Sequence, residues 1–422
     1  MAEDKAPEVQ PSFIVSFGYA NCSHLNSDYT LNNPDTLTKY KTAAQISHKV
    51  LEAVAPLCIE GEKIVEICQK GDKLLDEEIN KVYKGKKIAK GIASPTTISP
   101  SSYVTPYTPL VSDVAEAETV LKAGEVVKIQ LGAQIDGFGT IVCDMVVVPK
   151  KDAAKEPITG PEADLVVATH YANELLLRLM VPPGLLAQGT EEEKKKAAAQ
   201  RAPTQAQMSS LLEKVAKAYG CNVIENTTSW VFDRNEIEGA KKIILSPGDG
   251  VRGDGTPEVG EVWGVEVGLT LGNGKVKNLD HRATLHRRTT TTYGLKRPSS
   301  RQVLSEIVKK FGTFPFSLRQ LEDEKTAKVG VVECVRSGVV RQYEPAGSAD
   351  NTPVSRLLTT VAITKNGLTK LATPNAVDLE LYKSDKKIED EEILKILEQP
   401  LARSTGNKKN KSKKKKTTGG EE

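Results

Sequence analysis

The side chains that most often carry out catalysis or bind metals are arranged here in ways that exclude common sites. The histidines are His24, His48, His170, His281 and His286. No pair has the four-residue spacing that places two imidazoles on one helical face for zinc. The chain also contains neither a Gly-x-Ser-x-Gly nucleophile elbow nor a Walker phosphate loop. We therefore expect His48 and His170, which lie in predicted helices, to be structural, and we expect no histidine-based metal site and no bound cofactor.

A glycine-rich segment, Gly248–Gly253, has the spacing of a dinucleotide-binding loop. Such a loop needs a helix directly after it, because the first amide groups of that helix bind the pyrophosphate. Pro257 and Gly260 follow instead, and a strand pattern comes next. We interpret the segment as an exposed loop.

Basic residues are concentrated in three parts of the chain, as in many proteins that bind nucleic acid. The first group consists of Lys84, Lys86, Lys87 and Lys90. The second consists of Lys296, Arg297, Arg301, Lys309, Lys310 and Arg319. The third, in the carboxyl-terminal tail, consists of Lys408, Lys409, Lys411, Lys413, Lys414, Lys415 and Lys416. Such side chains contact phosphates without reading sequence, although a solvated surface explains each group alone equally well.

The tail, residues 400–422, makes the whole chain basic. The net charge is +3 over 422 residues, and the tail contributes eight basic residues but only two acidic ones. A block of like charges repels itself, so we expect the tail to be disordered. A solubilising tail, a nuclear-import signal and a phosphate-binding arm all fit this composition.

The composition is typical of a soluble globular protein. Apolar residues make up 39% of the chain and charged residues 27%, and no run of about 18 apolar residues occurs. The amino terminus lacks the pattern of a secretory signal. Six widely spaced cysteines indicate buried, reduced thiols in a cytosolic or nuclear protein.

Hydrophobic periodicity predicts a protein of mixed helices and strands. Helices are expected at 36–58, 62–83, 162–180 and 204–219, and a self-contained helical insertion at about 294–340. We expect a loop at 94–109, a solvated segment at 189–196 and an irregular amino-terminal extension at 1–35. Together these boundaries predict one main domain over residues 36–399.

Three hairpins are expected between these helices. The clearest spans residues 125–148 and turns at Asp136-Gly137, a favoured two-residue turn. The others span about 261–285 and 354–372. In the second, Glu266 lies between Gly264 and Gly268 on one strand face, where another molecule can approach closely. This order of elements predicts an α/β (α+β) fold with an antiparallel or mixed sheet.

Several segments resemble the methionine aminopeptidases. The first hairpin resembles the first metal hairpin of these enzymes, the strand before Glu266 resembles a later metal-bearing strand, and Phe311–Arg319 resembles the helical subdomain of the type II enzymes. The closest resemblance is to a non-peptidase branch, the proliferation-associated, ErbB-receptor-binding proteins and the fungal curved-DNA-binding proteins. The strings that carry it are Cys68–Asp72, Lys90–Ala93, Phe316–Arg319, Glu322–Lys325, Gly330–Cys334 and Leu381–Ser384. The resemblance implies the pita-bread aminopeptidase-like fold.

The resemblance also implies where five metal ligands would lie. The family's peptidases hold two metals with two aspartates, a histidine and two glutamates, and the metals activate a water. The corresponding positions here are Gln130, Ile141, Trp230, Glu266 and Leu358. A further pocket histidine of the family corresponds to Pro106. One carboxylate cannot hold two divalent cations, so we expect a pseudo-peptidase without catalytic residues, even if a bulge brings Asp144 inward.

The resemblance implies a monomeric protein of the cytoplasm and the nucleus or nucleolus. Its expected partners are the large ribosomal subunit and its rRNA, with roles in rRNA processing, ribosome biogenesis or growth regulation, besides protein partners. Two alternatives remain open: binding of curved DNA, and a peptide-binding scaffold that uses the old substrate cleft unless Trp230 and Pro106 fill it. Residues 7–30 have no counterpart in the family pattern.

Overall fold

The structure is a computed structural model that describes residues 29–152 and 156–403. The helices within these ranges are α1 (Pro34–Val54), α2 (Ile64–Lys81), α3 (Val114–Ala117), α4 (Pro161–Leu179), α5 (Glu191–Ala198), α6 (Gln205–Ala218), α7 (Pro298–Lys310), α8 (Glu324–Arg336) and α9 (Glu391–Leu397). The strands are β1 (Lys90–Ser99), β2 (Val126–Ile135), β3 (Phe138–Val147), β4 (Asn222–Val223), β5 (Thr227–Phe232), β6 (Lys242–Leu245), β7 (Val262–Thr270), β8 (Val276–Asn278), β9 (Leu285–Arg288), β10 (Phe316–Ser317), β11 (Val340–Gln342), β12 (Ala346–Ser348), β13 (Val354–Thr364) and β14 (Gly367–Ala372). Residues 1–28, most of the predicted irregular amino-terminal extension, lie outside the described residues. Residues 404–422, most of the predicted disordered tail, also lie outside them.

A large antiparallel sheet organises the fold. Within the described residues it contains nine strands in the order β1-β2-β3-β13-β7-β5-β6, with β14 beside β13 and β4 beside β7. Helices α1 and α2 pack on the β1–β3 half, and α4 and α6 pack on the other half. The predicted α/β class and pita-bread fold are confirmed.

The β2–β3 hairpin forms as the sequence predicts. Its ladder runs without interruption from Val126↔Val147 to Ile135↔Phe138. Asp136 and Gly137 both adopt positive φ angles, 56° and 82°, as the favoured two-residue turn requires. Apolar residues of β2 face α1 and α2, because strand side chains alternate between the two faces. The other face carries Gln130 into a cavity on the opposite side of the sheet.

Two local predictions are wrong, and the structure adds a helix to a third segment. Residues 94–99 belong to strand β1, which pairs with β2 through two irregularities around Pro95 rather than forming a loop. The segment predicted as solvated, 189–196, has no buried residue, as expected, and Glu191–Ala198 forms helix α5, which Thr190 and Glu193 stabilise through reciprocal capping hydrogen bonds. The strand after the turn at Gly272 does not return along β7, because β8 pairs with β12 and β7 pairs with β13, β5 and β4.

Helices α7 and α8 and the three-stranded sheet β10-β9-β11 form the region predicted as a helical insertion. A buried ion pair joins it to α2, with Arg319 Nη1 2.7 Å from Asp72 Oδ2. The residue before this aspartate is Gly71. Strand β1 passes so close to it that a β-carbon at position 71 would lie 2.5 Å from the Thr96 side chain, so a larger residue would clash. The family string Cys68–Asp72 therefore contains two residues that position neighbouring elements.

The five cysteines within the described residues are free and buried, as predicted. They are Cys58, Cys68, Cys143, Cys221 and Cys334. Burial raises the pKa of each thiol above its ordinary value, so these thiols are poor nucleophiles. Cys22 lies outside the described residues.

The helices of the described part of the chain include none with the length and apolar content needed to cross a membrane.

Candidate functional site

A cavity of about 340 Å³ opens on the face of the sheet opposite α1, α2, α4 and α6. All six positions that the family resemblance singles out line it: Pro106, Gln130, Ile141, Trp230, Glu266 and Leu358. They come from the loop after β1 and from strands β2, β3, β5, β7 and β13. The fold therefore brings together, at one site, residues that are up to 252 positions apart in the chain.

Strand pairing explains why these side chains meet. On β13, Leu358 lies opposite both Glu266 of β7 and Cys143 of β3. On the hairpin, Gln130 lies opposite Cys143, and Gly132 lies opposite Ile141. Trp230 lies opposite Gly264, a neighbour of Glu266 on the same strand face. Each side chain faces the cavity because strand residues alternate between the two faces.

Arg356, on β13, is the central charged residue of the cavity. Its Nε atom lies 2.9 Å from Glu266 Oε1. Its guanidinium also donates hydrogen bonds to the Gln130 side-chain oxygen and, at 3.2 Å, to the Val104 carbonyl. The Arg356 side chain is only 5% exposed. Glu266, the one carboxylate among the five positions that correspond to family ligands, is therefore paired with Arg356.

The electrostatics of this pair follow from its burial. Burial raises the pKa of Glu266 above its ordinary value, although the charge of Arg356 opposes this rise. Burial alone would lower the pKa of Arg356, but the neighbouring Glu266 carboxylate raises it above its ordinary value. Arg356 therefore stays protonated. A guanidinium is a cation with five fixed donors and no acceptor, so it supplies positive charge beside Glu266 without any metal.

The residues at the cavity do not fit a pair of divalent cations. Hard cations need several oxygen ligands or imidazoles, whereas Ile141, Trp230 and Leu358 offer none and the Gln130 oxygen already accepts from Arg356. Within residues 29–152 and 156–403, no group of three or more His, Cys, Asp or Glu side chains is placed to hold a metal ion. A metal beside Glu266 would also face the buried guanidinium.

Asp144 does not rescue the site. The β2–β3 ladder has no bulge, and Asp144 faces the helices, away from Ile141. Its carboxylate accepts hydrogen bonds from the Asn375 backbone and side chain at 3.2 and 2.8 Å. Burial raises the pKa of Asp144 to about 6. The possibility that a bulge brings it into the cavity is therefore wrong.

Trp230 and Pro106 line the cavity without filling it. The Lys242 ammonium lies 5.5 Å from the centre of the Trp230 ring, a cation–π contact at the rim. Phe232, Ile237 and other apolar side chains complete the walls. An apolar concavity with a few polar groups is the usual form of a ligand site, so the cleft keeps space for a partner.

The basic residues predicted to bind nucleic acid differ in their exposure and in whether they have partners within the protein. Lys84, Lys86, Lys87, Lys296, Arg297 and Lys309 are exposed and form no ion pair with any described residue. Arg301 donates to the carbonyls of Leu295 and Lys296, and Lys90 donates to the carbonyl of Val82. Lys310 pairs with Glu306 at 2.7 Å. Arg319 is buried against Asp72 and cannot contact a nucleic acid in this arrangement, and the seven tail lysines lie outside the described residues.

Sequence reasoning missed Arg356 and Lys128, which are buried cations at or near the cavity. Lys128 Nζ donates to the carbonyls of Pro100 and Ser101 at 2.8 and 2.7 Å. Burial lowers its pKa well below the ordinary value. The sequence does contain a sign of the buried Lys128, because a charged residue occurs there within a predicted hairpin strand. Arg356 lies only two residues before Leu358, but the sequence by itself gives no sign that it pairs with Glu266.

The chain is similar to several known proteins. No family model matches the chain. A curved DNA-binding protein of Schizosaccharomyces pombe is 39% identical over 91% of this chain and 95% of its own length. ErbB-3 binding protein 1 of Solanum tuberosum is 33% identical over 91% and 93%. A solved structure described as a thermophilic Arx1 is 67% identical, covers 87% of this chain and 99% of its own, and has a TM-score of 0.85.

A more distant relative has the name of an enzyme. A protein of Yarrowia lipolytica named probable metalloprotease ARX1 is 27% identical over 72% of this chain and 74% of its own length. That name belongs to the relative, whereas the five positions of the present chain that correspond to family ligands include one carboxylate, Glu266, which pairs with Arg356. On the strength of the longer and closer matches, the chain belongs to the family of curved DNA-binding, ErbB-3-binding and proliferation-associated proteins, to which Arx1 is related.

Proposed function

We propose that this protein is a catalytically inactive aminopeptidase-like protein that binds the large ribosomal subunit through its RNA and acts in ribosome biogenesis. The observation that supports it best is the contrast between two sets of cations. Arg356 in the cleft is buried and neutralised by Glu266, whereas Lys84, Lys86, Lys87, Lys296 and Arg297 are exposed and form no ion pair with described residues. The available positive charge therefore lies outside the cleft.

Inactivity follows from the chemistry of the cleft. Metal-assisted hydrolysis needs a cation that lowers the pKa of a bound water and polarises the scissile carbonyl. Arg356 can donate hydrogen bonds, but it cannot bind a water as a ligand or share it with a second cation. No described cysteine replaces the metal as a nucleophile source, since burial raises the pKa of all five thiols.

Purified protein dialysed against cobalt or manganese is expected to retain less than about one-tenth of an equivalent of metal after desalting, because the cavity has too few ligands. It is also expected to release no methionine from a Met-Ala-Ser peptide. Elemental analysis and an amino-acid release assay measure the two quantities. A type II methionine aminopeptidase carried through the same steps is the positive control, and stoichiometric metal with turnover in the present protein contradicts the proposal.

RNA is the partner class that the exposed cations suit. Lysine and arginine side chains that lack internal partners can release counterions from phosphates when they bind, and this release gives affinity without base-specific contacts. Lys296, Arg297 and Lys309 lie on or beside α7, in the region that the resemblance assigns to the insertion. Roles in both the cytoplasm and the nucleus belong to the same proposal.

Large ribosomal subunits are expected to pellet with the protein, and the bound fraction should fall steeply between about 50 and 200 mM salt, because phosphate contacts are screened. Replacing Lys296, Arg297 and Lys309 with glutamine should weaken binding at least about tenfold. The matched control replaces Lys195, Lys196 and Arg201, three exposed cations that form no ion pair with described residues, and should bind like the wild type. Equal binding by both variants, or binding unaffected by salt, argues against the proposal.

Binding of DNA is the second candidate, and the name of the Schizosaccharomyces pombe relative favours it. The same exposed cations would contact the backbone of a bent duplex. Competition separates the two candidates: curved duplex DNA and structured RNA of equal length are each used to displace the protein from large subunits. Displacement by RNA at lower concentration supports the first candidate, and the reverse order supports the second.

A further inference from the structure

A second cavity, of about 210 Å³, lies in the insertion region between strand β9 and helix α8. Apolar side chains of α8, among them Val331, Val332 and Val335, form much of its wall, and Leu318 closes it from another side. This second cavity and the cleft that contains Glu266 lie on opposite sides of β9, so they are separate sites. Leu285 of β9 lines that cleft, whereas the next residue, His286, lines the second cavity.

His286 is a buried polar residue with an unsatisfied atom. It is 1% exposed, and its Nδ1 atom has no hydrogen-bond partner among the described residues. Burial lowers the pKa of His286 to about 4, with a contribution from Arg282 and partial opposition from the Thr284 backbone. The ring is therefore neutral near pH 7, with one nitrogen that donates and one that accepts. A buried polar atom without a partner is uncommon and calls for an explanation.

Two exposed arginines, Arg282 and Arg336, also line this cavity. Neither guanidinium forms an ion pair with any residue that the structure describes. Arg282 lies near enough to Glu116 to oppose the rise in the pKa of that carboxyl, but no carboxylate of the described residues lines the cavity itself. On strand β9, Arg288 faces the same side as His286, and its Nε atom is buried without a hydrogen-bond partner in the described part of the chain. The cavity thus combines apolar walls, a neutral imidazole and unpaired positive charge.

We propose that this cavity binds a single unpaired nucleotide of RNA, with its base between the valines of α8 and the His286 ring and its phosphate against Arg282 and Arg336. This inference rests on the proposed RNA binding and adds a site to it. Unstacked bases in loops and bulges are commonly held by aromatic or histidine rings and hydrogen-bonded on their edges. Guanidinium groups bind phosphate in a bidentate manner.

The shape and chemistry of the cavity favour a nucleotide over other anions. Its volume is below the roughly 300–1,000 Å³ of pockets for drug-sized ligands but several times the roughly 30 Å³ share of one water. A free phosphate ion would leave the apolar wall and the buried Nδ1 atom of His286 unused. An acidic peptide would pair with the arginines, but it offers no flat polar ring to match the imidazole.

The test measures the binding of a fluorescein-labelled single-stranded RNA 12-mer, and of the same backbone without bases, by anisotropy. The variant carries Arg282→Gln and Arg336→Gln, and the matched control carries Arg201→Gln and Arg252→Gln, two exposed arginines elsewhere that form no ion pair with described residues. The first variant should bind the 12-mer at least about tenfold more weakly. Its salt slope should become less negative by roughly 1.4, because each of the two arginine–phosphate pairs contributes about 0.7 to the slope on a single strand. The control should match the wild type, and the abasic strand should bind the wild type more weakly than the 12-mer.

Crosslinking provides the second readout. A 4-thiouridine 12-mer should crosslink to peptides from α8 or β9 in the wild type. Crosslinks elsewhere only, equal loss in both double variants, equal binding of the abasic strand, or displacement of RNA by a poly-glutamate peptide but not by unlabelled RNA each overturns the nucleotide site. If the wild type binds neither the 12-mer nor large subunits, the proposed function itself fails; if it binds both and the arginine variant is unaffected, only this site fails.

Discussion

Replacing Asp72 with asparagine is expected to lower the free energy of unfolding by roughly 3–5 kcal/mol, the usual cost of removing one partner from a buried ion pair. Asp72 is 7% exposed, and its Oδ2 atom lies 2.7 Å from Arg319 Nη1. Asparagine has nearly the same volume and can still accept through Oδ1 from the Thr96 amide, now at 2.7 Å. The destabilisation therefore comes mainly from the uncompensated charge of Arg319.

Arg319 cannot escape to solvent when its partner is removed. Its Nε donates to Thr108 Oγ1 at 2.8 Å and its Nη2 donates to the Thr96 carbonyl at 3.0 Å. These bonds anchor the guanidinium between α2, β1 and the short helical turn at Leu318–Gln320. We expect α7 and α8 to become easier to digest with protease, because this pair joins the insertion region to α2.

Urea denaturation followed by circular dichroism measures the effect. Glu191→Gln, which removes an exposed ion pair with Lys194, is the control and should leave the midpoint unchanged. The double change Asp72→Leu and Arg319→Met should recover much of the stability, since removing both charges of a buried pair is often close to neutral. If Asp72→Asn unfolds at the wild-type urea concentration, the pair does not stabilise the fold.

The second large effect is expected for Arg356→Met in the cleft. Methionine matches the length of the aliphatic stem but leaves Glu266 without its cation and Gln130 without its donor. The Glu266 side chain is 21% exposed, so we expect a destabilisation near the low end of the range for buried pairs, about 3 kcal/mol. Water that enters the cavity screens the remaining charge in part.

The destabilisation by Arg356→Met should depend on pH in a defined direction. Arg356 is what holds the pKa of Glu266 down against burial, so its removal raises that pKa further. When the pKa of a carboxyl is higher in the folded protein than its unfolded value of about 4.3, the protein loses stability as the pH rises from the unfolded pKa through the folded pKa. The difference in unfolding free energy between wild type and variant should therefore be larger at pH 8 than at pH 5.

A double-mutant cycle separates the pair from general damage to the cleft. Glu266→Gln together with Arg356→Met should restore much of the stability and abolish the pH dependence. Leu357→Ala, on the opposite face of the same strand in the core beneath α4, is the control: its destabilisation should not change between pH 5 and pH 8. A pH-independent effect of Arg356→Met shows that Glu266 is not the group left uncompensated.

Periodicity located the long helices and the β2–β3 and β13–β14 hairpins, because each needs only local information. The β2–β3 hairpin follows from alternation and a turn dipeptide, and α1, α2, α4 and α6 follow from apolar faces at helical spacing. Two of the elements that periodicity did not locate, β1 and α5, differ in kind. Strand β1 contains Pro95 and tolerates it only because the ladder with β2 shifts register there, and α5 is polar all round, so neither has the local pattern of its class.

The sequence alone determined that four of the five positions corresponding to family ligands carry residue types unsuited to hold two metals, namely Gln130, Ile141, Trp230 and Leu358, since the identity of a residue needs no coordinates. It also indicated reduced thiols and the chemistry of the three basic groups. It could not show which basic residues remain free. Arg319 and Lys296 look alike as sequence, yet one is buried on Asp72 and the other is exposed.

Only the tertiary structure decided the pairing of charges, because each partner comes from a distant segment and desolvation depends on what packs around it. Arg356 meets Glu266 through the register of β13 with β7, and Arg282 meets His286 and Arg336 through the packing of α8 on β9. Burial then sets the consequence: it makes the first arginine a counter-ion within the cleft and leaves the other two available to a phosphate.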